Sequence, residues 1–153
     1  MNIFKKVYCR AYQAVFHIAI PILPYRKPKL LHTNNQLAEL FKHEGMTSVL
    51  LITDKSIRSF GITAPLEKTL KEQNIKLTVY DETVANPTVS NVEEARQLYI
   101  DNHCEALIGF GGGSSIDCAK AVGIRIVKPR KQMKDLEGII KVRHKLPLLI
   151  AIP

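Results

Sequence analysis

Hydrophobic residues along the chain follow two alternating spacings. Four short apolar runs predict β-strands, and between them apolar residues recur every three or four positions, as in helices with one buried face. Strands that alternate with helices of this length form βαβ units, so the pattern predicts a three-layer α/β domain with a mostly parallel sheet. The predicted strands are Val49–Thr53, Ile75–Tyr80, Ala106–Phe110 and Leu148–Ile152.

The predicted helices lie before, between and after these strands. Each is defined by an apolar stripe on a polar background, and the first ends at a glycine, Gly45. A fourth helix follows the glycine-rich turn after the third strand. The stripes of the first three are Leu37, Leu40 and Phe41; Leu66 and Leu70; and, in a helix from Val92 to about Asn102, Val92, Ala95, Leu98 and Tyr99.

A triple-glycine turn follows the third predicted strand. Residues 111–113 carry no Cβ, so their backbone can adopt positive φ and bring N–H groups close to an anion. Ser114 suits the N-cap of the next helix, whose N-terminus offers unpaired donors and the positive end of its dipole. The pattern predicts a phosphate-binding turn. A tight turn with a capping box of Ser114 and Asp117 is the alternative without a ligand, and the two are compatible.

The positions of an acid and of the glycines indicate a nucleotide site. Ligands of parallel sheets bind beyond the carboxyl ends of the strands, where the first strand leads to Asp54 and the third to Gly111. This order reverses the common dinucleotide fingerprint, in which the glycines precede the acid. A carboxylate can still accept hydrogen bonds from ribose hydroxyls while the turn holds a diphosphate. Asp54 as a turn residue that caps the segment after it is the alternative.

The composition limits the partners. The 153 residues are 46% hydrophobic, enough for one folding unit with a sizeable core. The net charge of +8 divides into +6 for residues 1–38, −4 for residues 39–124 and +6 for residues 125–153. All aromatic residues of the two basic ends lie in the first of them, so no basic face with aromatic readers is encoded, and we expect no nucleic-acid partner.

Cysteine and histidine spacing predicts neither a disulfide framework nor a metal site made by this chain. The three cysteines form no CxxC pair, and the histidines never recur at a spacing of three or four. Cys104 and Cys118 are expected to be buried small apolar residues.

The N-terminus reads as a separate segment. Residues 2–20 predict an amphipathic leader helix that packs on the body or on a partner, and we set the domain boundary between residues 27 and 28. Arg10, Gln13 and His17 interrupt its apolar stretch, which argues against a signal peptide or a membrane span. Contact with a membrane surface is the less favoured alternative.

Three motifs resemble those of the iron-containing (group III) alcohol dehydrogenases, in the family's order: ITDK at residues 52–55, NPT at 86–88 and GGGSSIDCAK at 111–120. The resemblance covers residues 28–153. It implies the Rossmann-like N-terminal domain of the iron-containing alcohol dehydrogenase and dehydroquinate synthase-like fold, followed in the family by a helical metal-binding domain. By motif position it implies these cofactor-binding residues: Asp54, Asn86, Gly112, Gly113, Ser114, Ser115 and Asp117.

The resemblance also implies a reaction. It is hydride transfer between a small alcohol or aldehyde and a nicotinamide cofactor, with NAD preferred over NADP because Asp54 would face the 2′-phosphate of NADP. The family's Fe²⁺ or Zn²⁺ and its ligands would follow Pro153, so we expect no catalytic or metal-binding residue in this chain and no catalysis by it alone. The complete enzyme is expected to be a cytoplasmic homo-oligomer.

Other functions remain open at this point. One is a non-enzymatic nucleotide- or phosphate-binding module, and another is part of a glycerol dehydrogenase-like enzyme. The serine after the glycines, Ser114, favours the alcohol dehydrogenase branch. A third is a protein that uses the basic leader to bind a membrane surface or a partner.

Overall fold

The chain divides into two compact units, Met1–Leu31 and His32–Pro153. The structure, a computed structural model, describes residues 3–19, 28–136, 142 and 144–153. The first unit contains helix α1 (Ile3–Ala19). The described side chains of this helix, those of residues 7–15 and 17, are all exposed. Residues 2 and 20 of the predicted leader helix, and residue 27 at the predicted boundary, lie outside the described residues.

The second unit is built on a sheet of four parallel strands in the order β2-β1-β3-β4. The predicted α/β class with a mostly parallel sheet is therefore confirmed. Each strand lies within one residue of its predicted bounds. The strands are β1 (Ser48–Ile52), β2 (Lys76–Tyr80), β3 (Ala106–Phe110) and β4 (Leu148–Ile152).

Helices cover the two faces of the sheet. Helix α2 packs on α4, and α5 packs on α6 and on the strands β1 and β2. Crossovers between parallel strands are right-handed, so α4 and α5, whose connections run in opposite directions along the sheet, lie on opposite faces. The short helix α3 was not predicted. The helices are α2 (Asn34–His43), α3 (Lys55–Ser59), α4 (Ala64–Glu72), α5 (Val89–Asp101) and α6 (Gly113–Val127), with a 3-10 helix at Met133–Leu136.

The core lies around the central strand β1, which is buried at all five positions. A strand covered on both faces reads as a continuous apolar run, as β1 does. The main cluster joins Leu50 and Ile52 of β1 to Leu107 of β3 and to Ala119 and Val122 of α6. The packing of α6 on the sheet thus forms much of the core.

Two of the three cysteines belong to this core, as predicted. Cys104 and Cys118 are buried, whereas Cys9 is exposed on α1. Burial raises the pKa of the Cys118 thiol to about 11, although the Thr83 hydroxyl opposes the shift. The thiol of Cys118 therefore stays protonated at neutral pH and behaves as a small apolar group.

Gly109 lets α6 approach β3 closely. A Cβ at this position would lie 2.9 Å from the Cα of Ile116 and 3.1 Å from the Cβ of Ala119. Both distances are shorter than ordinary van der Waals contact, so any side chain would push the helix away from the sheet. The close approach holds the first turns of α6 at the carboxyl end of β3.

Arg125 ties the end of α6 to α5. Its guanidinium is nearly buried and donates to both carboxylate oxygens of Glu93, with Nη2 3.3 Å from Oε2. Nη1 donates to the carbonyl oxygens of Lys128 at 2.7 Å, Pro129 at 3.3 Å and Lys131. The hydrogen bond from Arg125 holds the pKa of Glu93 below its usual value.

We expect Glu93→Gln to lower the free energy of unfolding by about 1–2 kcal/mol at neutral pH, because a charge-assisted hydrogen bond is lost. The folded-state pKa of Glu93 is lowered. The contribution of the Glu93 charge to the free energy of unfolding is therefore complete above the usual glutamate pKa, and it is lost as the pH falls through the folded-state pKa. Urea unfolding of both proteins should show a difference that shrinks as the pH is lowered.

The matched control is Glu39→Gln, at an exposed position of α2. It should change stability by less than about 0.5 kcal/mol. A Glu93→Gln effect that is independent of pH, or no larger than that of the control, would show that the ion pair does not hold α6 to α5.

Candidate functional site

The sheet order places a ligand crevice at the ends of β1 and β3. The chain leaves β1 for the edge strand β2 and then returns to β3 on the other side of β1. At such a switch point the two connections diverge, and they open a crevice beyond the carboxyl ends of the neighbouring strands. Asp54 follows β1 and Gly111 follows β3, so the acid and the glycine turn share this edge.

Gly111 makes the sharp turn out of β3. Its φ of +117° is a conformation that other residues rarely adopt. A Cβ here would lie 2.5 Å from Cδ1 of Ile57 and 3.7 Å from Oδ2 of Asp54, and the Gly111 N–H donates to the carbonyl of Ile152 at 2.8 Å. The turn after β3 therefore runs directly against α3 and beside the Asp54 carboxylate.

The first turn of α6 is open. Its N-cap is Gly112, with φ −65° and ψ 178°, and no side chain in the described part of the chain caps it. A Cβ on Gly112 or on Gly113 would meet no atom within 4 Å. A helix N-terminus with free space and no side-chain acceptor is suited to binding an anion.

The predicted N-cap is wrong. Ser114 does not cap α6, because the helix begins at Gly113 and Ser114 lies in its first turn. Of the three glycines only Gly111 has positive φ, so the reversal is complete one residue after β3 and the helix starts earlier than expected. The capping box of Ser114 and Asp117, considered above as the alternative, is absent, because the N-cap is Gly112. Asp117 instead pairs with Lys120, whose Nζ lies 2.9 Å from Oδ1.

The loop before α5 meets the first turn of α6. The N–H of Asn86 donates to Oγ of Ser114 at 3.3 Å, and Asn86 itself has a φ of +57°. Asparagine tolerates this left-handed conformation better than most residues. Ser115 is only 1% exposed and lies beneath Gly111, whereas Asp117 is on an exposed face of α6. The structure thus brings most of the predicted residues to one edge and leaves Ser115 beneath it.

Asp54 has two differently placed oxygens. Oδ1 accepts a hydrogen bond from the N–H of Ile57 at 3.0 Å and so caps α3, which is the structural role considered above as the alternative. Oδ2 is the oxygen closest to the Gly111 turn, and among the described residues no group donates to it. The carboxylate can therefore cap its helix and still accept a hydrogen bond from a ligand.

The basic side chains of α3 do not neutralise Asp54. The Nζ of Lys55 lies 2.6 Å from Oε2 of Glu82, and Nη1 of Arg58 lies 3.3 Å from Oδ2 of Asp81. The hydrogen bond to Glu82 raises the pKa of Lys55. Both cations are paired with acids that follow β2, so neither of them compensates the negative charge of Asp54.

Sequence reasoning missed two parts of this site. One is α3 with Ile57, since five residues are too few to show a helical period. The other is the capping box at the start of α5, where Thr88 and Asn91 exchange hydrogen bonds with each other's backbone N–H. The Thr-x-x-Asn spacing after a proline was the available signal for this earlier helix start.

Three further features of the described residues concern a second groove, metal ligands and membrane-spanning helices. A groove of about 780 Å³ runs along α4 and the outer edge of β2, lined among others by Arg58, Lys68, Lys71 and Lys76. Among the described residues, no group of three or more His, Cys, Asp or Glu side chains lies close enough together to hold a metal ion. In the same residues no helix is both long and apolar enough to cross a membrane.

A sequence model of the iron-containing alcohol dehydrogenase family matches residues 31–153. The chain therefore belongs to this family, as its three motifs predict. Choline dehydrogenase of Bacillus subtilis (strain 168) is 32% identical over 124 residues, which are 80% of this chain and 30% of that enzyme.

Solved structures of similar fold agree with this assignment. The alcohol dehydrogenase from Oenococcus oeni has a TM-score of 0.71 and 31% identity, covering 77% of this chain and 31% of its own. A 1,3-propanediol oxidoreductase has a TM-score of 0.72 and 27% identity, with the same coverage of 77% and 31%. This chain thus spans less than a third of the length of these proteins.

We expect Gly111→Ala to destabilise the second unit by about 1–3 kcal/mol, since it strains a positive φ. The new Cβ would also press on Ile57. Gly113→Ala is the matched control two residues later, because open space surrounds that position and its φ is not positive. Urea unfolding measures both. Equal stability of the two variants would contradict the strained turn.

Proposed function

We propose that residues 28–153 form the nucleotide-binding domain of a metal-dependent alcohol dehydrogenase. The reaction is hydride transfer between a small alcohol or aldehyde and NAD, and it belongs to the longer protein of which this domain is a part. Family membership supports the reaction class. The observation that carries the binding role is the open N-terminus of α6 beside Asp54 at the switch point.

The diphosphate of the cofactor fits the first turn of α6. Gly112 and Gly113 leave free space there, and the helix N-terminus favours negative charge. Ser114 adds a hydroxyl in that turn and links it to the loop at Asn86. We assign Ser115 to the support of the turn from below and Asp117 to its outer flank, where the pairing with Lys120 reduces its repulsion of phosphate.

The adenosine ribose fits Asp54. Oδ2 is available to accept hydrogen bonds from the two ribose hydroxyls while Oδ1 caps α3. A 2′-phosphate would meet this carboxylate, and the nearest basic side chains, Lys55 and Arg58, are engaged with acids. NAD is therefore favoured over NADP.

The described residues supply binding and orientation. Asp54 and the first turn of α6 would hold the cofactor, which would supply the hydride acceptor, and the Fe²⁺ or Zn²⁺ of the complete enzyme would supply a Lewis acid for the alcohol oxygen. We place the metal ligands and the catalytic groups in a helical domain outside this chain. The complete enzyme is proposed to be a cytoplasmic homo-oligomer, and this chain alone to lack dehydrogenase activity.

Gly113→Val tests the diphosphate site. A Cβ at position 113 meets no atom within 4 Å in the free protein, so we expect the fold to persist while the valine side chain blocks the diphosphate. Titration with NAD, followed by amide NMR shifts, should give a dissociation constant in the high micromolar to millimolar range for the parent chain, about 4–6 kcal/mol of binding. Gly113→Val should raise this dissociation constant roughly tenfold or more, which corresponds to a loss of at least about 1.4 kcal/mol of binding free energy.

The control for this test is Ala64→Val. Ala64 is the exposed first residue of α4, so valine enters an equivalent position of a helix distant from the glycine turn. It should leave NAD affinity unchanged. Unchanged affinity in Gly113→Val, or equal weakening in both variants, would exclude the first turn of α6 as the diphosphate site.

Asp54→Asn separates the charge of Asp54 from its capping role. Asparagine caps a helix about as well as aspartate, so stability should change by only a few tenths of a kcal/mol. Without the negative charge, the affinity for NADP should rise relative to NAD, roughly tenfold in the ratio of dissociation constants if about 1.4 kcal/mol of repulsion is removed. Parallel NAD and NADP titrations of the 153-residue chain measure this ratio.

Asp101→Asn provides the charge-matched control. Asp101 ends α5 near the amino ends of the strands and accepts a hydrogen bond from Gln97. It should leave the ratio unchanged. A parent chain that binds NAD and NADP equally, or an Asp54→Asn ratio equal to that of the control, would remove Asp54 from the ribose site.

A further inference from the structure

Helix α1 exposes a face of apolar side chains. Val7 is 61% exposed, Tyr8 71% and Val15 64%. At 100° per residue these side chains lie on one side of the helix together with Ala11, while Cys9, Arg10, Gln13 and His17 lie on the other. The rings of Tyr8 and Tyr12 stack with centroids 6.2 Å apart along one border of the apolar face. Exposed apolar side chains grouped on one helix face are typical of a binding surface.

The charge of this segment identifies the kind of surface that it fits. Residues 1–38 contain six Lys or Arg and no acid. The exposed Arg10 borders the apolar face on the side opposite to Tyr12. A helix that binds another helix commonly carries both charge signs beside its apolar stripe, whereas a purely basic flank complements the headgroups of anionic lipids.

The tyrosines fit the same surface. A tyrosine ring has an apolar body and a polar tip, and such side chains are enriched where apolar and aqueous regions meet. Tyr12 lies at one border of the apolar face, and Tyr8 lies next to it on the apolar side. This arrangement places hydroxyl groups at the depth of lipid headgroups when Val7 and Val15 point toward acyl chains.

Helix α1 lies outside the part of the chain that the family model matches. The family match begins at residue 31, after α1. The two compact units also divide at Leu31. Family membership therefore assigns no role to α1.

We propose that α1 binds the surface of anionic lipid bilayers and lies in the plane of the interface. Val7, Ala11 and Val15 face the acyl chains, and Arg10 lies among the headgroups. The sequence pattern favoured packing of this helix on the body or on a partner over contact with a membrane surface, and the proposal reverses that preference. It goes beyond the proposed dehydrogenase function and does not depend on it.

The test is co-sedimentation of the full 153-residue chain with lipid vesicles. The chain should bind mixed phosphatidylcholine–phosphatidylglycerol vesicles and bind phosphatidylcholine vesicles much less, with binding reduced by salt. The double variant Val7→Asn/Val15→Asn should bind the mixed vesicles roughly tenfold more weakly or worse, because two apolar side chains are lost from the interface.

The matched control is Cys9→Asn/Gln13→Asn. It introduces the same two residues into the same helix, on the polar side and without a change of charge, and should bind within about twofold of the parent chain. Circular dichroism of both double variants should show the second unit folded, since all four positions are exposed.

A fluorescence reading distinguishes insertion from adsorption. The chain contains no tryptophan, so a single substitution gives a unique reporter. Tyr8→Trp should show a blue shift with the mixed vesicles, whereas Gln13→Trp should show little. Equal shifts in the two variants would contradict the proposed orientation.

Three results would overturn the proposal. One is absence of binding to the mixed vesicles. Another is equal binding by the two double variants, which would assign the binding to basic residues elsewhere in the chain. The third is a parent chain that does not bind vesicles and is an oligomer by light scattering, while Val7→Asn/Val15→Asn is a monomer. That result would assign the apolar face to a second copy of the chain.

Discussion

The contact between Gly109 and α6 is the constraint on which the site depends. Because Gly109 has no side chain, the backbone of α6 approaches β3 to a distance that would leave 2.9 Å between a Cβ and the Cα of Ile116. This contact fixes the N-terminus of α6 beyond the carboxyl end of β3. Since β1 is the parallel neighbour of β3, the same contact sets α6 beside Asp54. The switch point of the sheet becomes a binding edge only with the helix in this place.

Two groups at this edge combine a structural role with the binding role that we propose for them. Asp54 uses one oxygen to begin α3 and leaves the other toward the glycine turn. Gly112, the N-cap of α6, has no side chain to cap the helix and leaves its first N–H donors for an anion. In both cases the fold is satisfied locally, so a ligand requires no rearrangement of the elements that hold it. This is the physical basis for our proposal that the edge binds a dinucleotide.

Strands and long helices of this chain follow from its sequence because burial decides them. The central strand β1 is covered on both faces and reads as an unbroken apolar run, and β3 and β4 lie at their predicted bounds. The start of α6 could not be fixed in the same way. Three consecutive glycines offer three places for positive φ, and only the tertiary contact of Gly111 with Ile57 selects the first.

Local structure around the site is the part that sequence patterns left out. Helix α3 has five residues, too few for a period. Asn86, which has positive φ, donates its backbone N–H to the first turn of α6, a contact between parts of the chain that are distant in sequence. The positions of Asp54 and the glycines were nevertheless predictable, because strand order in a parallel sheet brings the residues after neighbouring strands together. Residue types therefore predicted the chemistry of the candidate site, whereas its detailed geometry depends on tertiary packing.

The most direct test of the account is a map of amide chemical shifts. The isotope-labelled 153-residue chain would be titrated with NAD and, separately, with inorganic diphosphate. The account predicts that diphosphate shifts the amides of residues 112–115 and that NAD shifts these and the amides around Asp54. Shifts centred on α4 and β2, or no response at the first turn of α6, would contradict it.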